Sequence, residues 1–149
     1  MKTKKYVGRP QWKMKKAFES IRTGGSTVVR VDEDGKEGPL SLRLDLFNHS
    51  PSGFSWGYGG SGPAQLALGI LCDYFSMQSD EYIEKLRVKF KQDELENPPT
   101  VEGINWRDWY AVHLHQTFKF KVIANLPKED GFNLTIDQVS EAIENIVEK

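Results

Sequence analysis

The residues best suited to chemistry lie in a glycine-rich loop, residues 57–62, which leads into an apolar helix beginning near Pro63. Proline is favoured at the first helical position, because its missing N–H group would have no partner there in any case. Unpaired backbone N–H groups converge at a helix N-terminus, and the helix dipole favours negative charge there. The pattern therefore predicts an anion site formed by the amides of residues 60–65, with side-chain hydrogen bonds from Ser61 and Gln65.

Two well-known phosphate-binding motifs do not fit this loop. A P-loop needs a lysine followed by Ser or Thr after its last glycine, and neither follows here. Gly57, Gly59 and Gly62 have G-x-G-x-x-G spacing, but no clear strand precedes them and no acidic partner follows at the right distance. A structural interpretation also stays open, in which these glycines and Gly60 permit a sharp turn and close packing of the helix on the sheet.

Aromatic and polar side chains accompany the loop. Trp56 and Tyr58 could stack on a nucleobase, a contact worth about 1–3 kcal/mol per base, although loop aromatics also fill the edges of cores. His49 is a candidate general acid or base, but no set of nucleophile, base and acid accompanies it, so we assign no catalytic residue. The predicted ligand-binding residues are Arg43, Asn48, His49, Trp56, Tyr58, Gly59, Gly60, Ser61, Gly62 and Gln65.

The remaining histidines and the cysteine do not predict a metal site. His113 and His115 would share a face on a strand, but they point apart on a helix. With three histidines and one cysteine in the chain, we predict no metal and no cofactor. Cys72 lies inside the apolar helix, where a buried thiol is inert. A single cysteine excludes an intramolecular disulfide and fits a reducing compartment, so we expect a cytoplasmic protein.

The composition is typical of an ordinary globular domain, with 38% hydrophobic and 28% charged residues among 149. No apolar run reaches the roughly 18–20 residues that cross a bilayer, so no membrane partner is expected. Residues 1–22 carry a net charge of +7 and the remainder carries −8. Such a basic arm indicates contact with nucleic acid or another polyanion, or else a solvated face.

The hydrophobic pattern predicts one α+β domain over residues 1–149, with about three antiparallel strands packed against about four helices around a buried central helix, 63–77. Residues 106–126 fit both a helix, by their i+4 spacing, and a strand, by the alternation at 118–122; we favour the helix. The predicted elements are strands at 5–9 (ended by Pro10, or moved by it to a sheet edge), 27–31 and 40–46, and helices at 11–21, 63–77, 79–90, 106–126 and 136–147.

Two stretches resemble a family of phages and bacteria whose function is unknown, DUF6166. The first is L-D-L-F-N-H-S-P-S-G-F-S-W-G-Y-G-G-S-G-P-A-Q-L-A-L-G-I-L, residues 44–71, and the second lies within residues 118–135. Phe120 and Phe132 stand near positions where the family pattern has tryptophan. We interpret residues 10–25 and 92–105 as insertions. The resemblance implies a small counter-defence protein that binds a protein, a nucleic acid or a nucleotide signal.

These observations lead to a principal hypothesis and two alternatives. The principal one is a non-enzymatic binding protein of a phage or mobile element that sequesters an anionic, nucleotide-like ligand at the glycine-rich loop. The second is an inhibitor that binds a host defence protein or nucleic acid through the basic arm and surface aromatics. The third is a small nucleotide-cleaving enzyme that uses His49. The sequence leaves the oligomeric state open, including a homo-oligomer.

Overall fold

The computed structural model describes residues 2–10, 26–89 and 104–147. Within these residues one antiparallel sheet has the strand order β3-β2-β1-β4, and four α-helices and one 3₁₀ turn (Ile123–Asn125) complete the fold. The strands are β1 (Thr3–Arg9), β2 (Thr27–Asp32), β3 (Glu37–Pro39) and β4 (Phe132–Thr135), and the helices are α1 (Ser61–Ser76), α2 (Asp80–Arg87), α3 (Trp106–Lys121) and α4 (Ile136–Val147). The predicted α+β class is confirmed, with one strand more than expected.

Strand β1 lies inside the sheet, where it pairs with β2 on one side and β4 on the other. Pro10 follows the last residue of β1, as predicted, but the alternative prediction, that β1 lies at a sheet edge, is wrong. The reason is β4, a strand of four residues that the sequence did not reveal. Tyr6 anchors β1 to the helical layer, because its fully buried ring directs its hydroxyl to the carboxylate of Asp73 at 2.7 Å.

The predicted strand over residues 40–46 is wrong, because the chain turns directly after β3. Arg43 has a φ of +51°, and among the described residues it is the one non-glycine residue with positive φ. An L-residue in this region cannot continue a strand. The Leu46 N–H donates to the carbonyl of Arg43 at 3.0 Å and closes the turn. Leu40 and Leu46 still face the core, whereas Leu44 is 40% exposed.

Helix α1 is the buried centre of the fold, as its apolar sequence predicts. Thirteen of its 16 residues are buried, and it packs mainly on α3. Gly69 permits a close approach, since a Cβ at this position would lie 2.7 Å from the carbonyl oxygen of Ser41. The loop after β3 therefore packs directly on the backbone of the central helix.

The thiol of Cys72 is expected to be unreactive in the folded protein. It is 4% exposed, and burial raises its pKa to about 12. Since the thiolate is the nucleophile, the reactive fraction at pH 8 is smaller in the folded chain than in the unfolded one. We expect an aromatic disulfide reagent to label native protein slowly at pH 8, and one equivalent to react rapidly in guanidinium chloride. Rapid labelling of native protein would contradict this placement.

The starts of α2 and α4 follow the predicted capping residues, whereas α1 begins two residues before Pro63, with Gly60 as its N-cap, and α2 ends at Arg87 rather than at residue 90. The Ser79 hydroxyl accepts a hydrogen bond from the N–H of Tyr82 at 3.1 Å and caps α2. Thr135 and Gln138 form a reciprocal capping box before α4, in which each side chain accepts from the other residue's N–H group. The predicted helix over residues 106–126 is confirmed as α3 followed by the 3₁₀ turn.

Some predictions fall outside the described residues. These are the helix at 11–21 and the loop at 94–103. The single domain and its two insertions therefore stay predictions. Within the described ranges, no helix has the length and apolar character that a bilayer crossing requires.

Candidate functional site

Gln65 fastens the loop that leads from β3 toward the glycine-rich segment. Its side chain is fully buried, and its Oε1 accepts from the backbone N–H groups of His49 at 2.7 Å and Ser50 at 2.9 Å. Its Nε2 donates to the carbonyl oxygens of Leu42 and Phe47. These four bonds use every donor and acceptor of the amide. Gln65 therefore has a structural role in place of the ligand contact that we predicted.

Arg43 connects the same loop to the first turn of α3. Its guanidinium donates two hydrogen bonds to the carboxylate of Asp45 and two to that of Asp108, over 3.0 to 3.2 Å. These two carboxylates raise the pKa of Arg43 above its usual value. Because two carboxylates surround one cation, the local charge is negative. Arg43 thus contributes little attraction for an anionic ligand.

Two aromatic rings lie against the glycine-rich loop. A Cβ at Gly60 would lie 2.5 Å from the ring of Tyr58, and one at Gly59 would lie 2.9 Å from the ring of Phe120. Glycine is therefore required at both positions for the rings to pack directly on the backbone. The structural interpretation of the glycines explains these two contacts.

The N-terminus of α1 is more enclosed than the sequence suggests. Gly60 is its N-cap and offers no side-chain hydrogen bond. Gly62 is buried against the hydroxyl of Ser55, Pro63 has no N–H group, and the Ala64 N–H donates to the carbonyl of Gly60 at 3.1 Å. The first turn therefore has fewer accessible amides than an open anion site would offer.

Trp56 belongs to the core, because its ring is 2% exposed. Its Nε1–H lies within hydrogen-bond distance of two carbonyl oxygens, those of Pro127 at 3.0 Å and Asp130 at 2.9 Å. The ring meets Phe132 edge to face, with the centroids 4.9 Å apart. Trp56 therefore anchors the loop, and it offers no open face for a nucleobase.

The structure divides the ten predicted residues into three groups. Those engaged inside the protein are Arg43, Trp56 and Gln65, and those that shape the loop backbone are Gly59, Gly60 and Gly62. Those whose side chains reach the surface at least in part are Asn48, His49, Tyr58 and Ser61. The surface group, and the residues next to it, are where a ligand can make contact.

His49 is paired with a histidine from α3. Its Nε2 lies 3.1 Å from Nε2 of His115, which is 4% exposed. Nδ1 of His115 lies 2.5 Å from the carbonyl oxygen of Val112. A carbonyl only accepts, so Nδ1 carries the proton and Nε2 of His115 presents a lone pair. Phe47 stacks on the His49 ring, with centroids 5.5 Å apart and planes 9° from parallel.

The protein environment keeps both imidazoles uncharged near neutral pH. Burial lowers the pKa of His115 to about 4, and the charge of Lys119 and any charge on His49 act in the same direction. Partial burial, with the charge of Lys119, also lowers the pKa of His49. The two rings therefore act as neutral donors and acceptors rather than as cations.

Lys119 is a cation whose side chain is mostly buried. The residue is 6% exposed, and among the described residues no carboxylate forms an ion pair with its ammonium group. Its Nζ instead lies 3.9 Å from the centroid of the exposed Phe120 ring, and it is not among the buried atoms of the described chain that lack a partner. The apolar stem of the lysine is therefore buried while its ammonium group reaches the surface. An anion that comes from outside the chain would find this ammonium accessible.

Three exposed rings and the histidine and lysine residues near them make up a group that we call the aromatic face. Its exposed rings are Phe120 (59% exposed), Tyr58 (42%) and Phe47 (39%). Lys119 lies over the first ring and Lys128 over the second, the latter at 5.1 Å, while His49 stacks on the third. The residues of the aromatic face are Phe47, His49, Tyr58, His115, Lys119, Phe120 and Lys128.

Sequence reasoning missed most of this face. One signal was available in the segment 118–121, because residues two apart on a helix point to different sides of it. Phe118 is fully buried, and Phe120 points outward. The predicted divergence of His113 and His115 is confirmed, since His113 stacks instead on Trp109 at 4.6 Å. That His115 meets His49 depends on a contact 66 residues apart.

Comparison with known proteins gives a family and no function. No curated protein and no solved structure is similar enough to this chain to count as a match. A family model described as a family of unknown function, DUF6166, matches residues 18–108. The match includes the glycine-rich loop and α1, and it ends before the second stretch that resembled the family. Because it covers more than half of the 149 residues, the chain belongs to the DUF6166 family of unknown function.

Proposed function

We propose that this protein is a non-enzymatic binding protein that holds an anionic, nucleotide-like ligand on the aromatic face beside the glycine-rich loop. The observation that carries the proposal is the ammonium of Lys119, which lies over the exposed Phe120 ring and has no carboxylate partner among the described residues. A phosphate oxygen at this ammonium would form a charge-assisted hydrogen bond.

The exposed rings supply the second part of a nucleotide site. Phe120 is the most exposed aromatic residue of the described chain and lies directly beside Lys119. A base stacked on such a ring gains about 1–3 kcal/mol. Tyr58 offers a second ring, accompanied by the ammonium of Lys128. Alternation of rings and cations suits a ligand with both a planar base and phosphate groups.

The glycine-rich loop supports this face in the proposal. Because Gly59 and Gly60 lack side chains, the rings of Phe120 and Tyr58 approach the loop backbone closely while both residues stay exposed. The exposed Ser61 hydroxyl adds a hydrogen-bonding group next to the loop. The anion is thus assigned to the lysine side chains, with the enclosed amides of the α1 N-terminus in a lesser role.

Calorimetry with a panel of linear and cyclic nucleotides tests the proposal directly. We expect at least one nucleotide to bind with a 1:1 stoichiometry at micromolar concentration. We also expect the same ligand without its phosphate groups to bind at least about tenfold more weakly, since it loses the charge-assisted contact. The absence of heat with every nucleotide at high micromolar concentration would reject the proposal.

The change Lys119→Met is expected to weaken binding and to leave stability nearly unchanged. Methionine keeps the buried apolar part of the side chain and removes a charge at the surface, so the free energy of unfolding should change by less than about 0.5 kcal/mol. Affinity for the nucleotide identified by calorimetry should fall at least about tenfold. Thermal unfolding and calorimetry on the same preparation measure the two effects.

Lys121→Met is the matched control, two residues away on the same helix and exposed. It should change the nucleotide affinity by less than about threefold, because this exposed residue is not part of the aromatic face. Phe120→Ala should weaken the binding free energy by the contribution of stacking one base on an aromatic ring, about 1–3 kcal/mol. If Lys119→Met left the affinity unchanged, the anion would lie elsewhere.

The alternatives from the sequence stay predictions. An inhibitor that uses the basic arm would bind DNA or RNA with steep salt dependence and would lose binding when residues 1–22 are removed. A nucleotide-cleaving enzyme that uses His49 would convert the ligand, so recovery of intact nucleotide after long incubation would exclude it. The origin in a phage or mobile element and a role as a sponge for a host signal are part of the same proposal.

A further inference from the structure

The pair of imidazoles beneath Phe47 has the arrangement of a metal-binding site. Nε2 of His49 and Nε2 of His115 come from two different elements and lie 3.1 Å apart. We propose that these two nitrogen atoms bind one divalent transition metal ion of the zinc type. This inference is independent of nucleotide binding and assigns a second ligand to the protein.

The spacing of the two nitrogen atoms fits one shared ion. Zinc binds imidazole nitrogen at about 2.0–2.1 Å, so two nitrogens on a tetrahedral ion lie about 3.3 Å apart. The observed 3.1 Å differs from this by a shift that a loop residue accommodates easily. The ion would lie beside the line that joins the two nitrogens, and the proton that His49 donates along that line would leave Nε2. His49 would then carry its own proton on Nδ1 in place of Nε2, and solvent mediates this change of tautomer.

His115 is already oriented as a metal ligand. Its Nδ1–H donates to the carbonyl oxygen of Val112, and such a bond from the second ring nitrogen is a regular feature of metal-binding histidines. It fixes the tautomer that presents a lone pair at Nε2. His49, the second ligand, is held by two contacts. Phe47 stacks on its ring, and the Gln65 side chain accepts a hydrogen bond from its backbone N–H group.

The surroundings also determine what kind of metal site this is. Among the described residues no group of three or more His, Cys, Asp or Glu side chains converges, so the protein supplies two ligands. Water or an added anion would complete the coordination. The ammonium of Lys119 acts electrostatically on both histidines and opposes a second positive charge. We therefore expect affinity in the micromolar range rather than that of a structural zinc site.

Titration of the full chain, stripped of metal with a chelator, tests the proposal with Zn²⁺ and Ni²⁺ as probes and Mg²⁺ as the negative control. We expect 1:1 binding of the first two ions and none of Mg²⁺, which prefers oxygen ligands. His49→Gln should lower the affinity for Zn²⁺ at least tenfold. His113→Gln is the matched control on the same helix as His115, and it should leave the affinity within twofold of the parent.

A second variant separates this proposal from a general loss of structure. Lys119→Met removes the opposing charge without touching either imidazole, so it should strengthen Zn²⁺ binding at least threefold, although it weakens nucleotide binding. Unchanged affinity in His49→Gln, or no binding of Zn²⁺ at 1 mM, would overturn the assignment. Nucleotide binding without Zn²⁺ binding would leave the proposed function intact and reject the metal site alone.

Discussion

Replacing Gln65 by leucine is expected to lower the free energy of unfolding by about 2–4 kcal/mol. Leucine has a similar volume, so the core around α1 stays filled. The change removes all four hydrogen bonds to the loop, however, and leaves the N–H groups of His49 and Ser50 without their acceptor. Unsatisfied polar groups cost about 1–3 kcal/mol each when they stay buried, and movement of the loop toward water recovers part of this.

Thermal unfolding should show the change as a fall of about 5–15 °C in Tm for a domain of this size. Gln116→Leu is the matched control, because this glutamine is exposed on α3; its Tm should shift by less than about 2 °C. A Gln65→Leu protein as stable as the parent would mean that the loop does not depend on the buried amide. Since Gln65 also positions His49, the same variant should weaken Zn²⁺ binding.

Short-range signals correctly predicted the starts of α2 and α4 and the buried central helix. The Ser79 cap and the capping box of Thr135 each depend on residues three apart in the chain. Contacts over such distances are decided by local sequence, because no other part of the fold has to be known. The wholly apolar run of α1 likewise has one stable outcome, which is burial on all sides.

Long-range contacts explain the structural features that the sequence did not predict. Leucines alternate over residues 40–46 as in a strand, yet Arg43 binds Asp108, which is 65 positions away, and the loop folds onto Gln65. Side-chain hydrogen bonds therefore outweigh the local pattern there. Strand β4 could not be predicted from the sequence either, because four residues show little periodicity. Its formation depends on pairing with β1.

The candidate site illustrates the same limit. His49 and Tyr58 were predicted because both lie in the irregular segment that leads into α1. Their neighbours in the proposed site, His115 and Lys119, lie on α3, whose sequence gives no sign that it approaches this loop. A sequence pattern identified the segment where we propose that a ligand binds, whereas the position of Lys119 became apparent only from the fold.

Replacing Gly57 by alanine is expected to cost about 3–5 kcal/mol of unfolding free energy, which combines two separate effects. Gly57 has a φ of +86°, a conformation that costs an L-residue about 1–2 kcal/mol. In addition, its new Cβ would lie 2.5 Å from the Cα of Lys128. Backbone atoms cannot rotate away as a side chain can, so the loop and the segment after the 3₁₀ turn must separate.

Gly35→Ala isolates the first effect from the second. Gly35 has nearly the same φ, +83°, but a Cβ there would meet nothing within 4 Å. Its variant should therefore lose only about 1–2 kcal/mol, and the difference between the two variants, measured by chemical unfolding, gives the cost of the contact with Lys128. Equal losses of unfolding free energy in the two variants would show that the loop accommodates the new Cβ at position 57 without strain. Because Lys128 lies over Tyr58, the separation should also open the aromatic face and weaken nucleotide binding in Gly57→Ala, while Gly35→Ala keeps the parent affinity.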